Sequence, residues 1–242
     1  MKFAILSHLE VTRDGVSVDL GTPKTRSLLA ALVLARPHAV SVDSLIGHLW
    51  GEHPPASVMT TLQAYVSGLR RTLEPDRKPR QPASVLLTRV PGYVLDLVPG
   101  TVDADVFESV VTDADARRDT LSGMTAEGLE QVDADLADAL SLWRGEAYAD
   151  LGDAAVAERS RLEELRVLGE ELRLEVSTVL GRHTAVAAAA EALIAQYPLR
   201  ESLWRIRALA LARCGRQADA LGVIEDLRKV LDEELGLLPG PA

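Results

Sequence analysis

Residues 57–73 combine an apolar stripe with side chains that could hydrogen-bond to nucleic acid. The stripe recurs at i, i+4, i+7 and i+11, which predicts an amphipathic helix with one narrow buried face, made of Leu62, Val66, Leu69 and Leu73. The outward positions are then Thr60, Gln63, Ala64, Ser67, Gly68, Arg70, Arg71 and Glu74. Gln and Arg can pair with base edges in a major groove, and Ser and Thr hydroxyls can bind phosphate. An ordinary solvated helix face is the alternative interpretation.

Gly68 interrupts this outward face near the middle of the predicted helix. Glycine in a helix interior costs about 0.5–1 kcal/mol relative to alanine. A close approach of the helix backbone to DNA would account for the glycine, and chance would account for it equally well. The sequence leaves both explanations open.

No other group of residues has the spacing of a catalytic or metal site. The chain contains no glycine-rich phosphate loop, no His-Glu-x-x-His pair and no nucleophile elbow, and its histidines are scattered. The single cysteine, Cys214, excludes an intramolecular disulfide and a cysteine-based zinc site, and its apolar surroundings predict a buried thiol. We therefore expect neither enzymatic activity nor a cofactor.

Strands and helices on both sides of the 57–73 helix must position its outward face. Alternating apolar residues predict brief strands within 2–20, with a tight turn at Asp14-Gly15. The other predicted elements are helices over 23–36 and 41–51 and strands over 84–88 and 93–98. This order is typical of a winged helix-turn-helix domain. Arg89 would lie at the tip of the terminal hairpin, where it can reach a minor groove or a phosphate.

The chain after residue 98 shows helical periodicity without strand signals. Helices are predicted over about 103–120, 125–143, 153–180, 184–196, 200–214 and 216–234. Gly181-Arg182 and Gly215-Arg216 lie 34 residues apart, each directly before a predicted helix. A 34-residue period of paired helices is typical of tetratricopeptide-like repeats.

The formal charge also divides the chain. Residues 1–98 carry 11 Lys and Arg against 8 Asp and Glu, a net +3, whereas residues 99–242 carry 15 against 28, a net −13. Such asymmetry indicates two modules with different partners. We therefore predict an α+β winged helix-turn-helix domain over 1–98, followed by an all-α tetratricopeptide-like helical repeat domain over 99–242.

Ordered motifs along the whole chain resemble the Streptomyces antibiotic regulatory proteins. In the first half these are Gly21-Thr22-Pro23-Lys24-Thr25-Arg26, Leu49-Trp50-Gly51, Pro54-Pro55, Thr61-Leu62-Gln63-Ala64-Tyr65 and Pro91-Gly92-Tyr93. In the second half they are Leu142-Trp143-Arg144-Gly145, Gly181-Arg182-His183 and Gly215-Arg216-Gln217-Ala218. The resemblance implies an OmpR-type winged helix followed by a bacterial transcriptional activator domain. Gly68 departs from the family, which often has Arg or Lys there.

The resemblance also implies a function and a set of contacts. The 57–73 helix would read the major groove and the turn 89–92 would be the wing. Residues expected at DNA are Lys24, Arg26, Trp50, Thr60, Thr61, Gln63, Tyr65, Ser67, Arg70, Arg71 and Arg89, although packing of Tyr65 against the domain body is an equal alternative. The loop residues Glu52, His53, Pro54 and Pro55 would contact RNA polymerase. The implied protein is a homodimeric activator that binds direct repeats in double-stranded promoter DNA, recruits RNA polymerase holoenzyme and switches on antibiotic or other secondary-metabolite genes.

Two rival classes of protein fit the sequence less well. A helical-repeat interaction scaffold without specific DNA binding would suit the acidic second half, but it has no use for a basic hairpin tip beside an arginine-bearing helix. A response regulator would need a receiver domain with strands, which 99–242 does not predict. No apolar run is long enough to span a membrane and no signal peptide is evident, so we expect a cytoplasmic, nucleoid-associated protein.

Overall fold

The structure is a computed structural model that describes residues 1–78 and 80–236. Its strands are β1 Lys2–Ala4, β2 Glu10–Arg13, β3 Val16–Ser17, β4 Val40–Ser41, β5 Leu86–Arg89 and β6 Gly92–Leu95. Its α-helices are α1 Pro23–Ala35, α2 Val42–Trp50, α3 Val58–Leu73, α4 Asp103–Ala116, α5 Ala126–Ser141, α6 Val156–Val179, α7 His183–Gln196, α8 Glu201–Arg213 and α9 Gln217–Leu235. Short 3-10 helices span Arg118–Gly123 and Ala149–Ala155.

Turn and cap residues fix the first elements where the sequence predicts them. Asp14 and Gly15 have φ values of 52° and 81°, as a two-residue hairpin turn requires, and they join β2 to β3. The Thr25 amide donates to the Thr22 hydroxyl at the start of α1. The Ser44 amide donates in the same way to Ser41 at the start of α2. Such bonds satisfy amide groups that lack partners in the first turn of a helix.

The short strands form two antiparallel sheets of three strands each. The first has the order β1-β2-β3, with Phe3 opposite Val11. The second has the order β4-β6-β5, so the predicted terminal hairpin has a third strand, β4, which is not among the strands predicted from the sequence. Gly92 makes this pairing possible, because a Cβ atom there would lie 1.8 Å from the Val40 carbonyl oxygen. These elements confirm the predicted winged-helix class.

The chain forms two compact units, and the first is discontinuous in sequence. It comprises Met1–Ser109 together with Ser141–Glu164. The amides of Tyr148 and Arg144 donate to the carbonyls of Ile5 and Leu6 at 2.8 and 3.0 Å, and Phe107 packs edge-to-face against Trp143. The sequence-based division at residue 98 describes two consecutive domains, whereas segments of the two compact units alternate along the sequence. That division therefore remains a prediction.

The second unit, Val110–Leu140 and residues from 165 onward, is helical throughout the part that the structure describes. The helix ends at Gly181 and Gly215 have the same φ of 77°. At each, the following arginine amide donates to a carbonyl five residues back, Arg182 to Ser177 and Arg216 to Leu211. This left-handed glycine helix end therefore recurs 34 residues later, which confirms the helical repeat.

One interpretation from the sequence is wrong. Cys214 is exposed, whereas its apolar neighbours had predicted a buried thiol. It is the C-cap of α8, where the chain turns away from the core formed by residues such as Leu203, Trp204 and Leu211. Separately, no helix among the described residues is long and apolar enough to cross a membrane.

Candidate nucleic-acid interface

Helix α3 buries its four predicted apolar residues and leaves a polar strip in solvent. Leu62, Val66, Leu69 and Leu73 are each at most 2% exposed. The exposed residues on the other side of the helix are Thr60, Gln63, Ala64, Ser67 and Arg71. Thr61 is half-buried, and its hydroxyl donates to the Ser57 carbonyl at 3.1 Å. The strip therefore offers an amide, hydroxyls and a guanidinium on a helix that fits a major groove.

Arg70 and Glu74 do not face solvent freely, and that part of the prediction is wrong. Arg70 is half-buried, and its guanidinium donates to the Leu86 carbonyl and the Thr88 hydroxyl, each at 2.8 Å. The same group lies 5.8 Å from the ring centre of Tyr93. Helical periodicity could not anticipate these contacts, because they come from the β5–β6 hairpin packed beside α3. The contact of Arg70 with DNA stays a prediction, and the structure gives the side chain a second role.

Glu74 joins the end of α3 to the segment that leads into β5. Its carboxylate accepts hydrogen bonds from the Ser84 amide at 2.7 Å and from the Ser84 hydroxyl at 2.5 Å. Partial burial acts to raise the pKa of Glu74, but the bonds from Ser84 outweigh it, so the pKa lies below its usual range. Glu74 is therefore an ionised link between helix and hairpin.

Lys24, Trp50 and Tyr65 form a stack that connects three helices. The Lys24 ammonium lies 4.8 Å from the Trp50 ring centre and donates to the Leu49 carbonyl at 2.6 Å. The rings of Trp50 and Tyr65 are nearly parallel, with centres 6.1 Å apart. Of the two roles considered for Tyr65, packing is thus observed, and DNA contact remains a prediction. The stack holds a cation and two aromatic rings at one edge of α3.

Arg26 has an acidic partner within the first unit. Its Nε lies 3.5 Å from a carboxylate oxygen of Asp150, which is 7% exposed. The same carboxylate accepts a hydrogen bond from the Leu9 amide at 2.5 Å. If Arg26 contacts a phosphate, its guanidinium must therefore bind both the phosphate and the Asp150 carboxylate.

The hairpin tip and the α2–α3 loop are both exposed to solvent. Arg89 is exposed, and the neighbouring Val90 is 91% exposed. In the loop, Glu52, His53, Pro54 and Pro55 are all exposed, as a surface for a protein partner requires. Arg70 joins α3 to strand β5, which ends at Arg89, while the loop lies at the N-terminal end of α3.

Two residues that shape the interface have no local sequence signal. Thr88 holds the Arg70 guanidinium, and Arg13 donates to the carbonyls of Thr72 and Leu73 at 2.8 and 3.0 Å. Arg13 lies 59 residues before Thr72 in the chain, so no local pattern could reveal the contact. Among the described residues, no cluster of three or more His, Cys, Asp or Glu side chains is arranged to hold a metal ion.

Comparison with known proteins places both halves of the chain in described domain families. Residues 16–95 match the family model described as transcriptional regulatory protein, C terminal, and residues 102–242 match the bacterial transcriptional activator domain. Regulatory protein DnrI of Streptomyces peucetius is 36% identical over 244 residues, which cover 99% of this chain and 88% of DnrI. The chain belongs to the Streptomyces antibiotic regulatory protein family of transcriptional regulators.

Other members of this family are longer. Transcriptional regulatory protein EmbR of Mycobacterium tuberculosis is 36% identical over 243 residues, and this chain spans 61% of its length. The solved structure described as Mycobacterium tuberculosis EmbR in complex with low affinity phosphopeptide aligns with a TM-score of 0.86 and 36% identity, covering 99% of this chain and 62% of that one. These relatives are named as regulators, which confirms that the family is not an enzymatic one.

The match to the first family model covers the whole candidate interface. Every residue expected at DNA from the sequence, from Lys24 to Arg89, lies within the 16–95 match. The winged-helix region of this family member is therefore the region in which its DNA contacts must be tested residue by residue.

Proposed function

We propose that this protein is a sequence-specific DNA-binding transcriptional activator whose α3 helix reads the major groove. The observation that carries the proposal is the exposed strip of Gln63, Ser67 and Arg71 on α3, clamped through Arg70 to a hairpin with an exposed arginine at its tip. The β5–β6 hairpin then acts as the wing. Membership of a regulator family supports the same function.

Salt dependence tests whether Arg71 contacts a phosphate. Each neutralised phosphate adds about −0.9 to the slope of log affinity against log salt concentration. We expect Arg71→Ala to make that slope shallower by about 0.9 and to weaken binding to all sequences equally. Lys2→Ala, an exposed cation on β1, is the matched control and should leave the slope unchanged. A salt-insensitive complex would instead favour the alternative function, a helical-repeat interaction scaffold.

Sequence reading is expected to depend on Gln63. An amide that pairs with a base edge contributes about 1–3 kcal/mol of discrimination, so Gln63→Ala should relax preference at one position of the operator. Because glutamine is uncharged, the salt slope should stay that of the wild type. An equal loss of affinity for all operators would show that Gln63 does not pair with a base edge.

The finer proposal concerns promoters and partners. We propose that a homodimer binds direct repeats and recruits RNA polymerase holoenzyme through the exposed loop that contains Glu52 and His53, and that the controlled genes direct secondary metabolism. Footprinting of neighbouring promoters, with and without the holoenzyme, tests the repeats and the recruitment. A Glu52→Ala, His53→Ala double variant should bind DNA normally and lose activation in transcription assays. Normal activation by that variant would contradict the role of the loop. The cytoplasmic, nucleoid-associated location remains a prediction that follows from the DNA partner.

A further inference from the structure

The last turn of α3 carries carbonyl groups that cannot bond within the helix. An α-helix leaves its last four carbonyls without intrahelical partners, and its C-terminal end carries partial negative charge. In α3 the Glu74 amide donates to the Arg70 carbonyl. The carbonyls of Thr72 and Leu73 accept hydrogen bonds from the Arg13 guanidinium. One guanidinium nitrogen of Arg13 donates to both carbonyls, so a full positive charge caps the end of the helix.

Arg13 is held in place by the first sheet. It is the last residue of β2, pairs with Val16 of β3 and precedes the tight turn at Asp14 and Gly15. On the other edge of β2, Val11 is buried opposite the buried Phe3 of β1. A side chain anchored in this way can restrain a helix end because its own backbone has little freedom.

We propose that Arg13 is a positioning residue that fixes the C-terminal end of α3 for DNA recognition. The inference rests on the proposed function and assigns the first sheet a part in it, without any DNA contact of its own. Arg70 and Glu74 tie this end of α3 to residues that follow the helix in the chain. Arg13 ties the same end to a strand that precedes the helix. Loss of that restraint frees the turn that contains Arg71, one residue from the capped carbonyl of Thr72.

The test compares four variants of the full chain by two measurements. Hydrogen exchange follows amides near the end of α3, and DNA affinity is measured over a range of salt concentrations. Arg13→Ala should speed exchange at residues 70–74, leave α1 unchanged and weaken DNA binding about threefold to tenfold. Its salt slope should equal that of the wild type, because Arg13 touches no phosphate. Arg13→Lys should restore part of both properties, since an ammonium keeps the charge but loses the planar donor geometry.

The remaining variants separate positioning from contact. Arg71→Ala should change the salt slope by about 0.9 without changing exchange at the helix end, and Lys2→Ala should change neither. Wild-type exchange or wild-type affinity in Arg13→Ala would overturn the proposal, as would a salt slope that falls by about 0.9. If the wild type binds no DNA, the proposed function fails, while the exchange data still decide whether Arg13 holds α3. If Arg13→Ala unfolds, the same two measurements on Arg13→Lys decide between positioning and no role, by the same criteria.

Discussion

Replacing Gly68 with alanine should stabilise the protein and weaken its binding to DNA. A Cβ atom at Gly68 meets nothing within 4 Å, so alanine fits and gains about 0.5–1 kcal/mol of helix propensity. The first unit has 133 residues, the sum of 109 and 24. With about 2.1 cal/mol/K per residue of unfolding entropy, that gain raises its Tm by about 2–4 °C. Calorimetry measures this shift.

The effect on DNA affinity decides between the two explanations of the glycine. If the backbone of α3 lies against DNA at Gly68, a methyl group there costs about 1–3 kcal/mol, which weakens binding about fivefold to 150-fold. Gly222→Ala in α9 is the matched control, since its added Cβ also meets nothing within 4 Å. It should raise stability and leave DNA affinity unchanged. Wild-type affinity of Gly68→Ala would refute the close approach, and a lower Tm would refute the stability reasoning.

Three further predictions concern packing and protonation. Gly92→Ala should lower the free energy of unfolding by at least about 2 kcal/mol in urea titrations, because its Cβ would meet the Val40 carbonyl; an unchanged midpoint would contradict the β4–β6 pairing. Arg70→Ala should cost about 1–2 kcal/mol and speed hydrogen exchange in β5, and Thr88→Val, which removes one of its two bonds, should cost less. Burial raises the pKa of Glu170 in the folded protein above its ordinary value of 4.5. Folding therefore favours the protonated carboxyl, so the stability that Glu170 contributes is present below about pH 4.5 and is lost as the pH rises through the folded-state pKa. Glu170→Gln should therefore stabilise the protein at neutral pH but not at about pH 4, and equal midpoints at both values would count against this assignment.

Local signals in the sequence predicted the parts of the fold that depend on neighbouring residues. The Asp14-Gly15 turn, the helix predicted over 41–51 and the buried face of α3 each follow from residues a few positions apart. The repeated helix ends at Gly181 and Gly215 belong to the same class, because a left-handed cap needs glycine.

Local sequence patterns do not reveal contacts between residues that are distant in the chain. Strand β4 has two residues, too few for an alternating pattern, and it exists because Gly92 admits Val40 closely. The helical periodicity alone places Arg70 on the outward face, because it carries no information about a hairpin that packs beside the helix. Arg13 illustrates the same limit, because its hydrogen bonds to the end of α3 depend on the fold of the whole first unit.

The discontinuous first unit limits how DNA-binding specificity can be exchanged between relatives. A chimera that takes residues 1–98 from one regulator and the rest from another would cut across a single core. The carbonyls of Ile5 and Leu6 would then face a foreign segment in place of Tyr148 and Arg144, and Leu9 would lose its own Asp150 partner. A transplant that keeps its native fit must therefore carry residues 99–109 and 141–164 along with the winged helix.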